Sequence, residues 1–466
     1  MSSSSEELIL GIDLGTTSVK VVIITNKTKQ IVAKQSKDTQ ANVPSDLGIE
    51  GNKQDVPKIL SAIHSCVSRL PKDLLKQVGR IGICGQMHGV TLWKNPEALN
   101  HHQNDGHTFK LDIDRDNVSH LYTWQDSRCD KNFLMTLPVS KSHLPVHTGY
   151  GCATLFWFAK NKPEKFDKYD KCGTVQDLVV SLLCENEETT MSTQNAASWG
   201  YFLTDKCQWE IDLMNDGNFP VELLPKKILK PGEIAGKLSH SWFGIPAGVP
   251  IGVALGDLQC SVYALLKGPN EAVLNISTSA QLTYVDPTYN PINKTQLNCI
   301  EYFPYFNDQY LAVAASLNGG NTLAAFVKAL QQWTLELGFS IPQSQVWEKC
   351  INSSNKDTAI SAMEIEPLLL AERYNPDKTA SVTGITLDTL DLGKVFRSLC
   401  SGIIKNIHNM MSEQQLKDKG IMKIVGNGSG LVRNPVLQKE VTHWFKLPLE
   451  LGHSGDAALG AALATI

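Results

Sequence analysis

Residues 13–20, Asp-Leu-Gly-Thr-Thr-Ser-Val-Lys, bring a carboxylate, three hydroxyls and an ammonium group into one short stretch. That set suits a polyphosphate carrying a hydrated divalent cation. Thr16, Thr17 and Ser18 offer hydroxyls and backbone N–H groups to an anion. Asp13 is placed to hold the cation through its water, and Lys20 adds positive charge. Gly15 permits a positive φ at the turn. An ordinary hairpin with a threonine-rich turn would show the same residues, and that reading stays open here. A P-loop is excluded: no G-x-x-x-x-G-K-[ST] occurs, and a strand follows the turn where a helix would be needed.

A second chemistry is written elsewhere. Gly85-Gln86-Met87-His88-Gly89 and Trp124-Gln125-Asp126-Ser127-Arg128 combine amide, imidazole, carboxylate and guanidinium groups with an indole. Such groups hydrogen-bond several hydroxyls while the indole face packs on sugar C–H bonds, so the pair reads as polyol recognition. A satisfied strand-end histidine and a structural Asp–Arg pair are the alternatives. Asp257 follows the apolar VPIGVALG at 249–256. A carboxylate there could take a proton from a hydroxyl attacking a γ-phosphate, or could merely cap a helix over 258–266. Gly426, Gly428 and Gly430, within IMKIVGNGSGLVRNPVL at 421–437, let backbone approach a flat or anionic ligand. A dinucleotide-binding reading is poorer, because no acidic residue follows at about 20 positions. His101, His102 and His107 lie in a polar stretch and read as a solvated loop rather than a metal site.

The elements that must position these groups fall into two similar halves. Strands are expected over 8–13, 18–25 and 30–36, a helix over 54–70, and strands over 79–84 and 249–256. The pattern restarts at AVLNISTSAQLTYV, from 272, where Asn275-Ile276-Ser277-Thr278-Ser279 takes the place of the first turn. A strand over 309–315 then leads into Ser316-Leu317-Asn318-Gly319-Gly320-Asn321 and a helix. Two such turns, one per domain, could grip a polyphosphate from both sides of a cleft that closes on binding. A helix opened by Asn434 and Pro435 follows the glycine-rich turn. The small-residue stretch SGDAALGAALATI suits a closely packed terminal helix.

Composition sets outer bounds. The 466 residues are 42% hydrophobic, enough for two or more domains, and 43 basic against 47 acidic residues give a net charge of −4. No basic run points to nucleic acid or a membrane surface. No apolar run reaches the roughly 20 residues of a membrane span, and MSSSSEE lacks the pattern of a signal peptide. The 11 cysteines are scattered and form no C-x-x-C, as expected of reduced thiols in the cytoplasm. Sequons such as Asn26-Lys27-Thr28 and Asn293-Lys294-Thr295 are then chance.

Taken together, these motifs resemble the FGGY carbohydrate kinases of the actin-like ATPase superfamily, and the likeness covers nearly the whole chain. QNAASWGYF (194–202), GVALGDLQCSVY (252–263), VLNISTSAQL (273–282) and AASLNGGN (314–321) carry it most specifically, within the kinases of sedoheptulose. The resemblance implies an α/β fold of two actin/ribonuclease H-like domains, 8–257 and 258–466, with a cleft between them. It implies ATP with Mg2+, and phosphorylation of a ketose at its terminal primary hydroxyl, with Asp257 as base. Xylulose or another ketose is the alternative acceptor. An actin- or chaperone-type ATPase switch would need no polyol site.

Carried over by position, Asp13, Gly15, Thr16, Thr17 and Lys20 match the first phosphate motif, with Asp13 holding the metal through water. Ser277, Thr278 and Gly320 match the second, and Gly426, Asn427 and Gly428 the adenosine motif. Ala371, in Glu366–Arg373, matches a nucleotide-side position where the wider family has Gly. Gln86, Met87, His88, Trp124, Asp126, Arg128 and Asp257 match positions that bind sugar. Ser127 and Thr154 also depart from family usage. No nucleic acid or membrane partner is expected, and either a monomer or a dimer fits.

Overall fold

The computed structural model describes residues 7–48, 51–94, 111, 113–292, 299–356, 362–375, 377–452 and 455–466. The histidine-bearing loop at 101–107 and the Asn293 sequon lie outside the described residues.

Leu8–Leu14 (β1) and Ser18–Thr25 (β2) form an antiparallel hairpin, and Ile31–Asp38 (β3) adds to β2. Every residue of β1 is buried, which is why it reads as a continuous apolar run rather than an alternating one. Val56–Ser68 (α1) opens on Asp55, whose side chain accepts from Lys58 N at 3.2 Å, and Pro57 sits in the first turn where its missing N–H costs nothing. Val78–Gly85 (β4) then lies parallel to β1. Helices Gly151–Asn161 (α2), Val175–Cys184 (α3) and Thr193–Trp199 (α4) follow, then Ile234–Lys237 (β5), Pro250–Gly252 (β6) and Leu255–Gly256 (β7). The sheet order is β5-β6-β4-β1-β2-β3, with β7 also on β4.

The strand expected over 249–256 is therefore two short strands. Both pair with β4, β6 at Ile81 and β7 at Cys84 and Gly85. Between them the backbone turns to other partners. Val253 N donates to Glu233 O at 2.9 Å, and Ala254 O accepts from Asn195 Nδ2 at 3.1 Å.

Asp257–Leu265 (α5) leads into the second half. Glu271–Ile276 (β8) and Ala280–Asp286 (β9) form its hairpin, and Ile300–Pro304 (β10) and Tyr310–Ser316 (β11) extend the sheet. Then come Gly320–Glu336 (α6), Leu392–Met410 (α7), Lys423–Asn427 (β12), Pro435–Phe445 (α8), Leu449–Leu451 (β13) and Ala457–Leu463 (α9). The order is β10-β11-β9-β8-β12-β13. Thus β3-β2-β1-β4 and β11-β9-β8-β12 share one arrangement: three antiparallel strands, then a parallel one. The internal repeat expected from the two turns is present. The two sheets differ at both edges: β10 joins β11 in the second, while in the first β5 adds antiparallel to β6 and β7 also pairs with β4.

Each half has an apolar core, but Phe303, Leu311 and Val313 of the second sheet, with Tyr305 and Phe306 of the turn between β10 and β11, pack with the first core. The outer face of the second sheet is thus closed by the first half. Two helices cross between the halves. α5 runs outward, and α9 returns to lie on β1 and β4, where glycines admit it. A Cβ on Gly11 would sit 2.0 Å from Ala458 O, and one on Gly82 2.0 Å from Ala461 O. Between the two helices, a Cβ on Gly460 would meet Cys260 O at 1.9 Å. Since that obstacle is backbone, Gly460→Ala must push the helices apart, and overpacking of this kind costs about 1–3 kcal/mol. A clear fall in melting temperature is expected. An unchanged melting curve would mean the crossing helices do not pack this closely. No helix among the described residues is long and apolar enough to cross a membrane.

Candidate active site

The functional groups collect at the carboxyl ends of parallel strands. Asp13 of β1 lies in register with Cys84 of β4, and Cys84 with Leu255 of β7, so Asp13 and Asp257 come out at the same end of neighbouring strands. That is where open α/β sheets bind ligands. Asp13 is nearly buried, and Lys20, its cross-strand partner, places Nζ 3.7 Å from Asp13 Oδ2. Burial, then the nearby Asp257 charge, pushes the Asp13 carboxyl up to about 7, with Lys20 opposing. Asp257 is raised to about 6, chiefly by burial. Asp257 is the first residue of α5, and Gly256 holds the capping position. Its Oδ1 accepts from Leu258 N at 2.8 Å, and the carboxylate also meets its own backbone N–H. Capping does not consume the carboxylate.

Gly15 does not take the positive φ expected of it. It serves by size instead, since a Cβ there would stand 3.1 Å from Ser18 O. Thr16 and Thr17 stay partly or fully exposed in the turn.

The second turn repeats this plan without the acid. Asn275 stands in register with Asn427 of β12, as Asp13 does with Cys84 of β4. Gly320 N donates to Ser277 O at 2.9 Å and Asn321 N to Thr278 O at 3.0 Å, seating the start of α6 on the turn. Gly428 takes φ +88°, and a Cβ there would strike Ile276 O at 2.4 Å, so this position requires glycine. Ser277, Thr278, Gly320, Gly426, Asn427 and Gly428 therefore meet at one end of the second sheet. Ala371 is held beside them by its neighbours. Leu370 N donates to Asn318 Oδ1 at 2.9 Å. Buried Glu372 accepts from Ser316 Oγ at 2.5 Å, Asn406 Nδ2 at 2.8 Å and Leu317 N at 3.0 Å. The two ends are linked where the chain crosses back. Gly452 N donates to Gly426 O at 2.8 Å, a Cβ on Gly455 would touch Asn427, and Asp456 acts electrostatically on Asp13.

The residues read as polyol-binding from the sequence stand on the first half. Gln86 Nε2 donates to Gln54 Oε1 at 3.2 Å, and Gln54 Nε2 to Thr16 O at 2.7 Å, so this strand end is tied to the phosphate turn. Gln86 Oε1 is buried without a partner among the described residues. Met87 lies against Gly256, the residue before Asp257. His88 Nδ1 bonds Ser198 O at 3.0 Å and its ring stacks on Tyr150, centroids 4.5 Å apart. Burial brings its pKa down to about 4, so it serves as a neutral hydrogen-bonding ring. Trp124 Nε1 donates to Thr16 Oγ1 at 2.9 Å, joining the two clusters directly.

Asp126 and Arg128 belong first to each other. Asp126 Oδ1 accepts from Arg128 Nε at 2.6 Å and Arg128 N at 3.2 Å. Its Oδ2 accepts from Arg128 Nη2 at 2.8 Å and Asn52 N at 2.9 Å. These four contacts fill a carboxylate's usual capacity. The guanidinium is enclosed by Tyr122, Trp157 and Phe158. The pair thus fixes the loop bearing Trp124. Removing one partner of a buried pair costs about 3–5 kcal/mol. Asp126→Ala should therefore lower the melting temperature sharply, with both substrates affected together. A normal melt with a rise in KM for sugar alone would instead make Asp126 a direct ligand.

Sequence reasoning missed Tyr150, Glu301 and Asp456, and put Arg373 on the nucleotide side. Tyr150 is buried, and its hydroxyl has no partner among the described residues. Glu301 Oε1 bonds His147 Nε2 at 2.8 Å across the two halves. Arg373 lines the same cavity as Glu301 and acts on it electrostatically. Nothing near 301 in the sequence carries a motif. Only the pairing of β10 with β11 brings it to the site.

Residues 8–264 match the family model described as the N-terminal domain of the FGGY family of carbohydrate kinases. The chain is 45% identical to the sedoheptulokinase of Homo sapiens over 99% of its own length and 98% of that protein. The sedoheptulokinase of Mus musculus matches at 45% over the same shares. In fold, the crystal structure of a xylulose kinase from Rhodospirillum rubrum superposes with a TM-score of 0.77 at 16% identity, covering 98% of this chain and 89% of that one.

Proposed function

Because the chain belongs to the FGGY family of carbohydrate kinases, we propose that it transfers the γ-phosphoryl group of ATP to the terminal primary hydroxyl of sedoheptulose, giving sedoheptulose 7-phosphate. The observation that carries this reading is a half-buried Asp257 that stands beside Asp13 and the Gln86–His88 strand end, with the second turn linked to the first through Gly455 and Asp456. The full-length similarity to proteins named sedoheptulokinase selects the sugar.

Asp257 takes the hydroxyl proton as the sugar oxygen attacks the γ-phosphorus. The bond from that phosphorus to the β–γ bridging oxygen breaks, and ADP leaves with the electron pair. The turn residues Thr16, Thr17, Ser277 and Thr278 hold the phosphates from both sides. Lys20 offsets their charge. Trp124 and His88 hold the sugar.

Among the described residues no group of three or more acidic, His or Cys side chains is disposed to bind a metal. A raised Asp13 carboxyl beside Lys20 fits Mg2+ that arrives with the nucleotide and keeps most of its water. When bound, the ion neutralises charge on the β and γ oxygens. All 11 cysteines are free thiols, in keeping with a cytoplasmic setting.

Xylulose is the alternative acceptor. The test is a panel of ketoses of five to seven carbons assayed for ATP-dependent phosphorylation. Sedoheptulose should give the highest kcat/KM. A clear preference for xylulose would move the assignment to the alternative.

A further inference from the structure

A cavity of about 1010 Å³ opens between the halves, lined among others by His143, His147, Tyr201, Glu301, Tyr302 and Arg373. Two of its charged groups have unused bonding capacity. The Arg373 guanidinium makes no hydrogen bond or ion pair with a described residue, and Glu301 Oε2 accepts from none. A carboxylate oxygen, a guanidinium and tyrosine rings facing one space suit hydroxyl groups rather than an apolar or purely anionic ligand.

The cavity is linked to the reacting centre through its neighbours: Glu301 and Tyr302, which line it, precede Phe303 and Pro304 on β10. Gln259, two residues after Asp257, donates Nε2 to Pro304 O at 3.4 Å. Phe303 meets the His88 ring at 6.2 Å between centroids. Glu301, two residues back along β10, shares the face of Phe303 because strand side chains alternate. From Pro304 to Glu301 the strand runs about 10 Å. Tyr150 bridges the interval, stacked on His88 and edge-on to His147 at 5.3 Å. It is 1% exposed and its hydroxyl has no partner among the described residues, an idle buried polar group that a sugar hydroxyl would satisfy.

We infer that Tyr150, Glu301 and Arg373 form a distal subsite that reads the end of the ketose remote from the transferred phosphoryl group and selects for chain length. This deepens the proposed function and rests on it. A ketose anchored at Asp257 reaches this subsite only if its chain is long, so a five-carbon ketose leaves it empty. Glu301 Oε2 accepts from a hydroxyl there, and Arg373 donates.

The test compares the full-length parent with Arg373→Met and Tyr150→Phe. Sedoheptulose and xylulose binding are measured by calorimetry without nucleotide, alongside steady-state KM and a melting curve. Arg373→Met should weaken sedoheptulose binding about tenfold or more, with xylulose binding and the KM for ATP unchanged. Tyr150→Phe should shift the same constant in the same direction. Equal losses for both ketoses, or no loss for either, would overturn the subsite. Should Arg373→Met fail to fold, Tyr150→Phe decides by the same comparison. A parent enzyme that phosphorylates no ketose would instead overturn the reading on which the subsite rests, and the two failures are separate readouts.

Discussion

Asp257→Asn should lower kcat by about 10²–10⁴-fold, the usual worth of a positioned general base, while sedoheptulose still binds. The substitution keeps shape and the hydrogen bond from Leu258 N, because an amide oxygen accepts as a carboxylate oxygen does. It removes only proton acceptance. The parent enzyme should also show a matching pH limb. Burial lifts the Asp257 carboxyl to about 6, and a base works only when deprotonated. The rate should therefore fall as pH drops through about 6 and level off above it. In Asp257→Asn that limb should vanish from the residual activity. A variant with near-normal kcat would show that the proton leaves by another route.

Asp13→Ala should be nearly as damaging, for a different reason. Asp13 is the one acid of the two phosphate turns; the second turn carries Asn275 at the matching place. Removing it leaves Lys20 without its partner 3.7 Å away and would deprive a bound metal–nucleotide of the carboxylate proposed to hold it. Loss of correct phosphate positioning on this scale costs about 10²-fold or more in rate. The apparent affinity for Mg·ATP should fall and sedoheptulose binding without nucleotide should hold. A collapse of sugar affinity with intact nucleotide binding would assign Asp13 to the sugar side or to the fold.

The two hairpins were legible because their strands are buried on both faces and their turns bring hydroxyls to one place. Leu8–Leu14 has no polar residue before Asp13, and that run states both the strand and its end. The second turn was legible from order alone, since Ser277 and Thr278 share little identity with the first. The strand at 249–256 was read as continuous because its apolar run does not record that Val253 and Ala254 bond outside the ladder. The close spacing of Asp126 and Arg128 announced a pair, but four contacts and three enclosing rings were needed to show how far the pair is spent on itself. The terminal helix was expected to pack closely. That it packs on the first sheet depends on Gly11 and Gly82, more than 370 residues distant in the chain. Glu301 was out of reach for the same cause: a site between two halves is assembled from strands whose sequence says nothing about what lies opposite.

The central claim is that Asp257 directs phosphoryl transfer from ATP to a sugar hydroxyl rather than to water. It is tested most directly by measuring ADP and sugar phosphate together in the parent enzyme and in Asp257→Asn, with and without sedoheptulose. In the parent, ADP should form only when the ketose is present, and in equal amount with sedoheptulose 7-phosphate. In the variant both should fall together. ADP released at the same rate without sugar, or with no sugar phosphate formed, would contradict the account and favour a nucleotide-driven switch.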